Sequence, residues 1–178
     1  MEIEKLNSLR TRHSLVHLER YGIENVADVK GFLIDAGAEW ILLNEVTDFH
    51  TNGYCLVRRE YVDNVKRGRY ERSLEAILRC EGMRADSKIG FSLPLDDTAE
   101  MFAALHAAET PVIVEGEAED QESFHIGRLV RAGNHSLSIL HFDATGRLDE
   151  IPSLVPFEGI TRVTFASEYL NVFMKYAR

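Results

Sequence analysis

The chain has 178 residues, of which 45% are apolar and 28% are charged, and its net charge is −9. This composition is typical of a soluble globular protein and argues against a disordered or membrane-spanning chain. The length fits one domain or two units of roughly 80 residues each. Because the amino terminus lacks the basic-then-apolar order of a signal peptide, we expect a cytoplasmic protein.

Acidic residues are concentrated in the second half of the chain. Residues 1–80 hold 12 basic and 13 acidic side chains, whereas residues 81–178 hold 8 and 16. An acidic surface repels a phosphate backbone, so the first half is the favoured place for any nucleic-acid contact. The two cysteines, Cys55 and Cys80, have neither metal-binding spacing nor a secretory context, which predicts two free thiols.

The first half of the sequence predicts a helix, five strands and a second helix. Apolar residues at every third position make residues 2–10 a short helix, and alternation over 12–20 predicts a strand. A polar connection covers residues 21–30. Apolar runs around glycine then predict the remaining strands, in a hairpin over 31–46 and in segments 54–57 and 62–66. Asn52-Gly53 predicts a turn inside a loop over 44–53, and residues 69–79 read as an amphipathic helix.

The second half predicts a similar series of elements. Asp96-Asp97-Thr98 is a good helix start, because these side chains accept hydrogen bonds from free backbone amides, and the helix is expected over 99–108. Acidic residues over 115–122 predict a solvated hairpin tip. Strands are expected within 111–115, 124–142, 153–155 and 160–165, followed by an amphipathic helix or strand over 167–178.

One stretch of sequence occurs in two similar copies, 31–43 and 127–139. In each copy a glycine opens an apolar run, an Ala-Gly pair interrupts it, and a second apolar run follows. The opening glycines are 96 positions apart, and Leu56-Val57 matches Leu154-Val155 at an offset of 98. Several matches in the same order favour an internal duplication, with repeats at 1–80 and 97–178 and a linker at 81–96.

The order of elements resembles the Sm-like family, whose fold is a short helix on a strongly bent five-stranded barrel of the SH3 type. The residues that carry the resemblance are Gly31-x-Leu33-x-Asp35 and Gly127-x-Leu129, supported by the segments 56–65 and 154–163. The resemblance implies a mostly β fold with short helices, in which two tandem five-stranded barrels are each preceded by a helix.

Two motifs differ from those of the RNA-binding Sm-like proteins, which resemble one another in an Asp…Asn loop and an Arg-Gly loop. Here the first loop is Asp35-Ala36-Gly37-Ala38-Glu39, without the asparagine, and the second copy has Arg131 in place of the aspartate. The second motif becomes Arg58-Arg59-Glu60 in one repeat and 156–159, Pro-Phe-Glu-Gly, in the other. The barrel is compatible with these changes, but the nucleotide pocket is put in doubt.

The leading functional hypothesis is a non-catalytic binding or assembly module that acts through protein–protein contacts at strand edges. Small barrels leave edges whose backbone groups pair with other strands. Duplication lets two barrels pair within the chain or extend into a larger oligomer. The competing interpretation is that the helices cover these edges. Neither reading calls for a cofactor or a membrane.

RNA binding is the alternative, and it depends on a basic segment over 58–72. Arginine neutralises phosphate and tyrosine stacks on bases. Acidic residues dilute the same segment, so an ordinary solvated face competes with this interpretation. The candidate side chains are Arg58, Arg59, Tyr61, Lys66, Arg67, Arg69 and Arg72.

A metal-dependent enzyme is the remote alternative. His135, His141 and Asp143 are close in sequence, and a metal or hydrolase site needs such groups to converge in a pocket. The chain has no nucleophile elbow, phosphate loop or HExxH motif, so the sequence assigns no catalytic residue and no metal ligand.

Overall fold

The computed structural model describes residues 3–21, 28–117, 122–143 and 145–177. In these ranges the protein is mostly β, with ten antiparallel strands in one sheet and four short helices. The sheet does not close on itself, since its order runs β5-β1-β2-β3-β4-β10-β6-β7-β8-β9. The mostly β prediction is therefore confirmed, whereas two separate five-stranded barrels stay a prediction.

The first seven elements come from residues before the linker. They are α1 (Ile3–Thr11), β1 (Leu15–Arg20), β2 (Val29–Ala36), β3 (Trp40–Thr47), β4 (His50–Arg58), β5 (Val62–Lys66) and α2 (Arg69–Cys80). One 3-10 turn, Arg59–Tyr61, joins β4 to β5.

The remaining elements follow the linker. They are α3 (Thr98–Ala107), β6 (Val112–Gly116), β7 (Ser123–Ala132), β8 (Ser136–His141), β9 (Ser153–Pro156), β10 (Arg162–Phe165) and α4 (Glu168–Tyr176). Asp97 caps α3 by accepting a hydrogen bond from the Glu100 amide, as its position before the helix predicts.

The two halves of the sheet have the same internal order and the same register. Gly31 pairs with Glu45 between β2 and β3, and Gly127 pairs with His141 between β7 and β8. A register shift follows two residues later in both hairpins. Corresponding residues are 96 positions apart in the first three strands of each half and 98 apart in the last two. For example, Leu18 pairs with Val65 in the first half, and Val114 pairs with Val163 in the second half.

One hydrophobic core is shared by both halves. It contains Trp40 and Leu56 from the first half together with Phe102 and Val163 from the second, all of them completely buried. The linker joins this core through Leu95, whose carbonyl accepts hydrogen bonds from the amides of residues 39 and 40. The end of the linker is therefore packed against the sheet, although residues 83–95 form no helix or strand.

Two local predictions are wrong. Asn52-Gly53 lies inside β4, and the chain reverses at Asp48 instead. Gly53 has a φ of +73°, and a Cβ there would lie 2.5 Å from the Ser167 amide, so the glycine permits a close backbone approach within a strand. The acidic run also differs from the prediction, because Glu115 and Glu117 are only partly exposed. Residues 118–121 of that run lie outside the described ranges.

Several other predictions are resolved by the structure. The carboxy-terminal segment is a helix, capped by the Ser167 hydroxyl, which accepts from the Leu170 amide. Both cysteines are free thiols, with Cys55 buried and Cys80 exposed. No helix among the described residues is both long and apolar enough to cross a membrane.

Candidate functional site

The two halves meet where β4 pairs with β10, a junction that we call the internal seam. Leu56 pairs with Val163 and Val57 with Arg162, in antiparallel register. Leu56 and Val163 are completely buried in the shared core. The fourth strand of the first half thus joins the fifth strand of the second half by backbone bonds and apolar packing together.

The sheet ends at two strands that correspond to the two strands of the seam. β9 is the counterpart of β4 at an offset of 98, and β5 is the counterpart of β10 at the same offset. Leu154 on β9 is 72% exposed, whereas its counterpart Leu56 is completely buried. At the seam a fourth strand pairs with a fifth strand. The β9 edge is a fourth strand without a fifth strand beside it, and the β5 edge is a fifth strand without a fourth strand beside it.

A partly buried cluster of charged groups lies on one side of the seam, around Arg162. Its guanidinium donates to Glu45 at 2.6 Å and to the Cys55 sulfur at 3.2 Å, and it lies 3.5 Å from Glu115. Burial raises the pKa of the Cys55 thiol to about 12, so the thiol stays protonated. Burial also raises the pKa of Glu115, although the nearby guanidinium opposes the shift. Arg162 thus bridges one carboxylate from each half.

A second ion pair joins the halves beside this cluster. The Arg20 guanidinium donates to both carboxylate oxygens of Glu117, at 2.9 and 2.5 Å, and Thr161 also donates to Glu117. Burial would raise the pKa of Glu117, but these hydrogen bonds and the Arg20 charge hold it below its usual range. The Arg20 side chain is only 1% exposed, so this pair connects β1 to the end of β6 inside the protein.

Two histidines approach each other on neighbouring strands of the second half. Nδ1 of His125 on β7 lies 3.2 Å from Nε2 of His141 on β8. Burial and the neighbouring imidazole lower the pKa of His125, which favours its neutral form. His125 lines a cavity of about 320 Å³ that Val155 and Pro156 of β9 also line. His125 therefore lies close to residues of β9.

The two arginines at the start of the predicted basic segment have structural contacts. Arg58 donates to the Phe157 carbonyl at 3.0 Å and the Thr98 hydroxyl at 3.3 Å, and its guanidinium lies 5.4 Å from the centre of the Trp40 ring. Arg59 donates to the Gly37 carbonyl at 2.7 Å. These contacts engage both groups within the protein, so their substitution would perturb the fold as well as any RNA contact.

The other candidates for RNA binding are divided between internal contacts and solvent. Lys66 lies 3.1 Å from Glu19, and Arg67 contacts a buried carboxylate of α2. Tyr61 is partly buried, and its carbonyl accepts from the Tyr21 amide. The exposed members of the set are Lys66, Arg69 and Arg72. The seven residues therefore do not form one exposed surface.

His135 is placed apart from the other two residues of the enzyme hypothesis. His135 is exposed in the turn before β8 and His141 is at the far end of that strand, about 20 Å away at the usual rise per residue. The Asp143 carboxylate accepts hydrogen bonds from Thr145 and Arg147 in its own loop. No group of three or more His, Cys, Asp or Glu side chains in the described parts of the chain could hold a metal ion.

Comparisons with known proteins identify no relative. No family model, no curated protein and no solved structure matches this chain. The residues at the seam, the two free edges and the histidine pair are therefore interpreted from their geometry alone.

Proposed function

We propose that this protein is a non-catalytic assembly module, in which β9 of one copy pairs with β5 of another. Each half is interpreted as one Sm-like unit of a tandem duplication. The equal strand order, the equal registers and the helix that precedes each set of strands support this interpretation. The observation that carries the proposal is the exposure of Leu154. Its side chain is 72% exposed, whereas its counterpart Leu56 is completely buried at the seam.

The internal seam supplies the expected register of the contact between copies. The offset of 98 converts the pairs between β4 and β10 into pairs between β9 and β5. Leu154 then lies opposite Val65 of the second copy, and Val155 lies opposite Asn64. Leu154 would then enter an apolar layer, as Leu56 does beside Val163. Burying one leucine side chain contributes about 2 kcal/mol, in addition to the backbone hydrogen bonds.

The contact between copies should be weaker than the seam. At the seam the Arg58 amide donates to the Thr161 carbonyl at 2.9 Å. The Arg58 guanidinium also donates to the Phe157 and Ile160 carbonyls and to the Thr98 hydroxyl, all outside the strands. The counterpart of Arg58 on β9 is Pro156, which has neither a backbone N–H nor a cation. We therefore expect reversible, concentration-dependent association.

Leu154→Lys is the most selective test, because the side chain is exposed in a single copy and buried only after pairing. Light scattering after size-exclusion chromatography should show wild-type mass rising with concentration, and the variant should remain at the mass of one chain. Ile151→Lys is the matched control, since residue 151 is 79% exposed and precedes β9. Equal behaviour of the two variants would contradict the proposal.

RNA in the purified wild-type protein would instead favour the alternative function. The absorbance ratio of 260 to 280 nm, measured before and after ribonuclease treatment, separates RNA-dependent association from pairing of protein edges. Association that persists after the nuclease supports the edge contact, whereas its loss with the RNA would replace the edge contact by RNA bridging.

A further inference from the structure

The histidine pair lies on the interior side of the second half, where the first half has a carboxylate. His141 is the counterpart of Glu45, and His125 is the counterpart of Val29, both at an offset of 96. Glu45 accepts a hydrogen bond from Arg162, which the second half supplies across the seam. The histidines therefore occupy the place in the second half that corresponds to Glu45 in the first half.

We propose that His125 and His141 bind a divalent transition-metal ion, such as zinc, together with Glu19 of a second copy paired on β9. This inference rests on the proposed function, because the second copy brings the third ligand. The metal would then strengthen the association of copies.

The spacing of the two imidazoles fits one metal ion. Zinc binds histidine nitrogen at about 2.0–2.1 Å with tetrahedral geometry, which places two ligating nitrogens about 3.3–3.4 Å apart. The nitrogens of His125 and His141 are 3.2 Å apart.

The internal seam indicates which group of the second copy would face the pair. At the seam Arg162 lies between Glu45 and Glu115. At the outer edge the counterparts of Arg162 and Glu115 are Asn64 and Glu19, and Asn64 already donates to Glu19 at 2.8 Å. Asparagine is shorter than arginine and uncharged, so pairing leaves space between the imidazoles and the Glu19 carboxylate.

A divalent cation in that space would replace the bridging role of the Arg162 guanidinium. Two exposed carboxylates on the same chain, Glu122 and Glu158, also line the cavity. They do not complete a group of three ligands with the histidines in the described ranges. The carboxylate of the second copy is therefore assigned as the third ligand. By linkage, metal would tighten association by the same factor by which association tightens metal binding.

Sedimentation velocity on the full chain tests the proposal. Wild type is first stripped with EDTA and then measured with and without a molar excess of zinc chloride, and bound zinc is measured by equilibrium dialysis. We expect zinc to tighten self-association about tenfold or more, within the usual range of coupling between sites. His141→Asn and Glu19→Gln should abolish the zinc effect, whereas His135→Asn, in an exposed turn, should retain it.

The outcomes separate this inference from the proposed function. Zinc-independent association of wild type would overturn the metal site and leave the edge contact standing. Absence of association in both conditions would overturn both proposals. A zinc effect that persists in Glu19→Gln would overturn the bridging role of Glu19. Circular dichroism melts of each variant, taken without zinc, verify that a lost effect does not come from unfolding.

Discussion

The ion pair between Arg20 and Glu117 should be one of the main links between the two halves of the chain. Arg20 is at the end of β1 and Glu117 follows β6, so the pair joins segments far apart in sequence. Both groups are largely removed from solvent, with side-chain exposures of 1% and 15%. We predict that Arg20→Met and Glu117→Gln each destabilise the protein.

The size of the effect follows from burial and hydrogen bonding. Removing one partner of a buried pair leaves the other charge uncompensated, which typically costs about 3–5 kcal/mol. Glu117→Gln should be near the upper value, because the guanidinium it leaves is almost fully buried. Arg20→Met should cost about 3 kcal/mol, since the Thr161 hydroxyl still donates to the carboxylate.

Urea denaturation of both single variants and of the double variant measures the interaction. The double variant should be more stable than Glu117→Gln alone, because it removes the isolated buried charge, and the coupling energy should be at least about 2 kcal/mol. For a chain of this size the Arg20→Met loss corresponds to a melting temperature lower by roughly 6–12 °C. A coupling energy below about 0.5 kcal/mol would refute the argument from burial.

Three further predictions concern single residues. Gly127→Ala should destabilise by more than about 2 kcal/mol in urea melts, because its Cβ would lie 2.0 Å from the Leu140 carbonyl oxygen; an unchanged midpoint would contradict this. Glu75→Ala should cost about 3 kcal/mol in the same assay, since the buried carboxylate accepts from the Leu15 amide and from arginine. The pKa of Glu115 is raised above its ordinary value of 4.5, so ionisation of this carboxyl lowers the stability of the folded protein as the pH rises above 4.5. Glu115→Gln should therefore raise the melting temperature at pH 7 and leave it unchanged near pH 4, and an equal effect at both would contradict the sign.

The order of the elements along the chain was predictable, because each strand carries its own local pattern. Alternation of apolar residues and the glycine that opens each hairpin depend only on neighbouring residues. The offsets of 96 and 98, found by matching Gly31 with Gly127 and Leu56 with Leu154, reappear in the strand registers. Local sequence therefore predicts both the elements and which element of one half corresponds to which element of the other.

The candidate site was less predictable, because it depends on contacts between distant segments. Arg58 appears in sequence as part of a basic run, yet its partners include Phe157 and Thr98. His141 was grouped with its neighbours in sequence, whereas its partner in the structure is His125 on the adjacent strand. The offset of 96 that aligns Glu45 with His141 was the signal that would have directed attention to this position.

The prediction of a turn at Asn52-Gly53 is wrong for a similar reason. The dipeptide favours a hairpin turn by local preference. In the structure Gly53 instead adopts its positive φ where β4 passes close to Ala166 and Ser167, more than 100 positions later. A tertiary contact thus determines how Gly53 is used, and the local preference for a turn does not prevail.

Disulfide trapping between two copies tests the edge contact most directly. In a Cys80→Ser background, Ser153→Cys and Lys66→Cys chains are mixed under mild oxidation and resolved without reductant. The proposed register places these two positions opposite each other, within the usual reach of a disulfide. We expect a mixed dimer for this pair and none for Ser153→Cys mixed with Asp63→Cys. Equal yields from the two mixtures, or no dimer from either, would contradict the pairing of β9 with β5.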